Sequence, residues 1–104
     1  MKWQKVSREK FQFILDKEIA TLPPEAANRL MACSVSIFEQ PFFRSEDYGV
    51  EKVFVIARSG NRVLFFDDVE EEFGVGIPDR DGILRCCGTF GPLAAAARAL
   101  DEGK

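Results

Sequence analysis

The chain has 104 residues, of which 46% are hydrophobic and 30% charged, with a formal net charge of −3. That length suits a single domain over 1–104, and the apolar fraction excludes a disordered chain. No apolar run nears the ~20 residues of a membrane helix, the first ten residues are too polar for a secretory signal, and the negative balance disfavours nucleic acid.

A cytoplasmic protein that engages neither membrane nor nucleic acid is therefore expected. The cysteines agree, since Cys33 and the adjacent Cys86 and Cys87 form no disulfide framework and read as buried thiols.

Ser7 suits a helix N-cap, with Glu9 in the first turn, where the helix dipole favours an anion. Phe11, Ile14, Leu15, Ile19 and Leu22 then recur at helical spacing, predicting a helix over about 8–21. Pro23 ends it, and Pro24 can open a second short helix over 24–33 with Ala27, Leu30 and Met31 inward. So tight a link predicts two helices folded back on each other.

From Ser34 the period shortens towards that of a strand. Val35 and Ile37 alternate with polar neighbours, Phe38 breaks the pattern, and Pro41 demotes the strand to a bent or edge position. Residues 44–49 read as a loop. The strongest local signal follows: apolar runs at about 51–58 and 62–67 flank Ser59-Gly60-Asn61, as in a β-hairpin. Val53, Val55 and Ala57 fall on one face and Phe54 and Ile56 on the other, so both faces need cover.

The acidic stretch 67–73 reads as a helical turn or loop, anchored by Val69 and Phe73 at i, i+4 spacing. Asp81-Gly82 marks a turn, and Ile83 to Cys87 supply a further short strand. A C-terminal helix opens after Gly91-Pro92, with Leu93, Ala97 and Leu100 on one face. The fold class expected is α+β. An antiparallel sheet of three to five strands is built on the central hairpin, with two N-terminal helices and a C-terminal helix packed on it.

Chemistry is sparse. With no histidine, the chain lacks the commonest general base near neutral pH and the commonest zinc ligand, so an enzyme is not expected. Neither a catalytic residue, a metal site nor a cofactor is assigned.

Charge is unevenly placed. From Asp67 to Asp81 seven acids face Arg80 alone, a net −6, which leaves +3 for the rest of the molecule. The candidate site is therefore Asp67, Asp68, Glu70, Glu71 and Glu72, read as an acidic surface docking a basic protein partner. Two other readings stand beside it. One is a self-associating homodimer using an edge strand or Phe42–Phe43. The other is a carboxylate site for a metal or for catalysis, suggested by Asp79-Arg80-Asp81-Gly82, although that run lacks the third acid and closing glutamate of a calcium loop. Lys2, Lys5, Arg8 and Lys10 read as a solvated basic face; Phe42, Phe43 and Tyr48 flank the loop and offer an exposed aromatic contact, although the two phenylalanines read first as pegs of an irregular edge.

The block EKVFVIARSGNRVLFFDDVEEEF at 51–73, followed by a D-x-D-G turn, resembles a group of small bacterial proteins of uncertain role. More loosely, the layout from about Val50 to Leu100 is similar to that of toxin-system immunity proteins, compact and often acidic α+β domains. That resemblance implies an inhibitor that binds and blocks one toxin, and it transfers no catalytic residue.

Overall fold

The computed structural model describes residues 7–102, apart from the side chains of Ser45, Cys86, Cys87, Asp101 and Glu102. Helices α1 (Arg8–Ala20) and α2 (Pro24–Cys33) lead into five strands: β1 (Ser34–Ser45), β2 (Gly49–Ser59), β3 (Arg62–Asp67), β4 (Glu72–Pro78) and β5 (Leu84–Gly91). Helix α3 (Leu93–Glu102) follows. The class is α+β, as expected, and the central hairpin is present.

The strands do not form an open antiparallel sheet. They close in the order β1-β2-β3-β4-β5, with β1 and β5 parallel and joined at Phe42 and Leu84. An odd number of up-and-down strands requires this: closing five leaves the first and last running the same way. Gln40 also reaches across this seam, donating its side-chain amide to the Gly82 carbonyl.

Local chemistry accounts for the helices. Ser7 accepts the Lys10 backbone N–H at 3.1 Å and caps α1, while Pro24 opens α2, where its missing N–H costs nothing. Phe11, Leu15 and Leu22 are buried, with Ile14 and Ile19 packed against them. Helix α2 buries Leu30, flanked by Ala26, Ala27 and Cys33, and leaves Met31 63% exposed, against expectation. Ten residues bury only a narrow stripe, and Met31 lies beside it. The two helices do not form the expected hairpin, since each leans on α3. Glu18 of α1 accepts the Leu93 backbone N–H at 3.1 Å, satisfying one of the open donors at the start of α3.

Two cores result because β2 and β3 are covered on both faces. Inside the barrel lie Phe42, Val53, Val55, Val63, Phe65 and Leu84. Between the outer face and the helices lie Phe11, Phe54, Ile56, Leu64, Phe66, Phe73, Leu93 and their neighbours. Ala57 was expected on the face of Val53 and Val55 but packs on the helix side. A register shift between Val55 and Ala57 moves the alternation by one residue, setting Ala57 opposite Leu64.

Of the two readings of 67–73, the helical turn fails and the loop holds only over 68–71, after which the chain runs on as β4. Phe73 is buried there, whereas Val69 is 37% exposed. Gly74 makes this strand possible. A Cβ there would stand 2.6 Å from the Gly88 carbonyl oxygen and 2.7 Å from the Phe65 ring, so the absent side chain admits both neighbours.

Candidate functional site

Antiparallel alternation puts the β1–β2 turn and the β3–β4 turn at the same end of the barrel. The first carries Glu46, Asp47 and Tyr48, and the second Asp68, Val69, Glu70 and Glu71. Arg44, late in β1, ties the two together. Its terminal nitrogens donate to both oxygens of Asp67, each at 2.7 Å, and its Nε donates to Glu51 at 2.8 Å. The guanidinium also lies over the Phe42 ring, 5.0 Å from its centre. The hydrogen bonds to Asp67, opposed by desolvation and aided by Glu51, push the Arg44 pKa still higher, so it stays charged.

This geometry corrects the candidate site. Asp67 and Asp68 are buried, at 1% and 5% exposure, and so present no outward surface. Asp67 is an internal anchor: besides holding Arg44, it accepts the Val69 backbone N–H at 3.0 Å and so shapes the turn. Glu72 is half-buried at the head of β4, whereas Glu70 and Glu71 are exposed. Glu46 and Asp47, in the β1–β2 turn at the same end of the barrel, are exposed as well. Sequence reading missed this pair because it lies some twenty residues upstream, and only strand pairing brings it to that end.

Apolar surface accompanies the acids. Tyr48 is 75% exposed and Val50 51%, and Val69 of the other turn is exposed too. Of the aromatics around this loop, Phe42 is buried in the barrel, as expected of a peg, and Phe43 is half-buried beneath Arg85, whose guanidinium stands 5.1 Å from its ring centre.

The Asp79-Arg80-Asp81-Gly82 turn is held together by its own first residue. One Asp79 carboxylate oxygen accepts the backbone N–H groups of Asp81 at 2.9 Å and Ile83 at 3.0 Å, and the other accepts Arg85 Nε at 2.8 Å. Among the described residues no group of three or more carboxylates or thiols is placed to hold a metal ion. The bond from Ile83, reinforced by Arg85 and Asp81, holds the Asp79 pKa below the ordinary aspartate range. A carboxylate depressed in the folded state stabilises it fully above the unfolded value, and that stabilisation fades as pH falls through the folded value. Asp79→Asn is therefore expected to flatten the pH dependence of urea unfolding between about pH 5 and about pH 3. Identical acid limbs for the two proteins would remove Asp79 from the acid response.

The remaining candidates recede. Cys33 is a half-buried free thiol, while the reading of Cys86 and Cys87 concerns side chains outside the described set, as do Lys2 and Lys5. Arg8 and Lys10 are exposed, and Arg8 donates to the Ile37 carbonyl at the bulged start of β1. Among the described residues no helix is long and apolar enough to cross a membrane. No family model, curated protein or solved structure matches the chain.

Proposed function

We propose that this is a non-enzymatic binding domain that docks a basic protein partner with the acidic end of its barrel, in the manner of an immunity-type inhibitor. The supporting observation is that two exposed acidic turns, Glu46-Asp47 and Glu70-Glu71, lie at one end of the barrel together with exposed Tyr48, Val50 and Val69. An aromatic anchor ringed by charge of one sign has the make-up of a contact surface: the ring supplies affinity and the charge supplies steering and selectivity. Arg44, the cation between the turns, is held by Asp67 and Glu51 and so does not offset the outward acids.

Backbone geometry adds support. Glu71 sits at φ 55°, in the left-handed region, where a residue with a Cβ costs roughly 1–2 kcal/mol. Glycine would close this turn more cheaply, and a glutamate stands there instead. Strain retained at an exposed charged position is the pattern of a working surface.

The test is binding to the product of the gene adjacent to its own, at low and high salt. Replacing Glu46, Glu70 and Glu71 with Gln and Asp47 with Asn is expected to slow association about tenfold and flatten its salt dependence, with the melting temperature retained. Tyr48→Ala is expected to speed dissociation, at a cost of roughly 2 kcal/mol. An adjacent product that does not bind counts against the immunity form of the proposal, and binding unaffected by the charge variant removes the acidic end from it.

A further inference from the structure

The barrel closes through a single strand pair, Phe42 with Leu84, and past it no strand among the described residues lies on the outer side of β5. Over 85–91, alternate residues therefore turn their backbone N–H and C=O groups away from β4 and towards open space. Side chains cover this stretch thinly. Gly88, Thr89 and Phe90 are exposed in succession, so neither face of the strand is screened there.

The barrel's other free edge is guarded. Over 34–41 of β1 the register is irregular between Ser34 and Phe38, Pro41 lacks an N–H, and Arg8 donates to the Ile37 carbonyl. β5 carries neither proline nor lysine, and over 86–89 it pairs with β4 without a register shift. Such an edge is a template for another strand, and the guarded β1 edge is not the one to fill it. A second β5 is. Arg85 is the only charged residue of β5, so antiparallel pairing about a two-fold axis near Gly88 sets no like charges opposite each other. It also turns the acidic end of one copy towards the far end of the other. The β2–β3 and β4–β5 turns and their flanks carry Arg58, Arg62, Arg80 and Arg85 there, against Asp79 and Asp81, and Asp79 is engaged by Arg85 and by the amides of its own turn. Counted over the described side chains of those turns, the far end is positive and complements the acidic one.

We propose that the protein forms a symmetric dimer by pairing the outer edges of β5, with the acidic turns of each copy beside the arginine-bearing turns of the other. The pairing surface is the side of the barrel and not its acidic end, so a strictly monomeric chain leaves the docking proposal untouched.

Sedimentation of the full chain over about a hundredfold range of concentration is expected to show a monomer–dimer equilibrium, and high salt is expected to weaken it about tenfold. Amide NMR shifts that change with concentration are expected along 85–91. Thr89→Lys and Thr89→Glu, both at an exposed position, each set two like charges near the axis and are expected to give monomers with the melting temperature retained. An equimolar mixture of the two variants is expected to recover the dimer, which a mere loss of fold could not do. A wild type that stays monomeric at every concentration overturns the proposal, as does a mixture that stays monomeric while both variants are folded. Growth beyond the dimer overturns the two-fold pairing. If either variant loses its fold, the wild-type shifts still decide, for changes confined to other elements overturn the β5 edge.

Discussion

Replacing Arg44 with leucine is expected to cost about 3–5 kcal/mol of folding stability, because it strands the buried Asp67 carboxylate without its cation. The pair itself contributes far less than this figure. Taking both charges from water is expensive, and their mutual attraction roughly repays that expense. The asymmetry gives a sharp test. A double variant, Arg44→Leu with Asp67→Leu, is expected to be more stable than Arg44→Leu alone, since no uncompensated charge remains. Urea unfolding of the wild type, both single variants and the double variant forms a closed cycle. A double variant less stable than either single one would mean that Asp67 acts chiefly through its bond to the Val69 backbone. In that case the turn, and not the ion pair, is the sensitive element.

Phe11→Ala is expected to cost about 3–5 kcal/mol as well, by a different mechanism. The Phe11 ring is fully buried and stacks on Phe54 at 4.7 Å and on Phe66 at 5.1 Å between ring centres, joining α1 to both strands of the central hairpin. Removing it leaves a cavity walled by two rings anchored in a closed barrel, which cannot collapse to fill the space. The internal control is Phe13, two residues along the same helix and 61% exposed. Phe13→Ala is expected to change stability by no more than about 0.5 kcal/mol. Thermal and urea melts of the two variants separate burial from mere aromatic content. Equal losses would show that α1 is packed in solution with a different face inward.

Both predictions concern residues of unequal legibility in the sequence. Phe11 declares itself by its spacing with Leu15 and Leu22, because helical periodicity is local and one helix face is read from a few turns of chain. Arg44 declares nothing. It sits in what reads as a loop, and its partner lies 23 positions away, across two strands whose pairing must be known first.

The candidate site divides along the same line. Glu70 and Glu71 were legible as exposed acids because a charged turn between apolar segments has nowhere else to go. Asp67 and Asp68 were misplaced because composition counts charge without regard to side-chain direction. The residue that ends β3 points inward to an arginine contributed by β1. Glu46 and Asp47 carry no such signal, for no local pattern announces that two turns share one end of a barrel.

Sequence alone determined the three helices, the central hairpin and its need for cover on both faces. Each depends on interactions spanning only a few residues: caps, proline stops, apolar periodicity and turn glycines. Tertiary structure decided the closure of the barrel, the strand at Glu72–Pro78 and the burial of Asp67. Those outcomes depend on which strand edges meet and on how close two backbones approach at Gly74, and contacts between chain-distant atoms leave no periodic trace in the residues that make them.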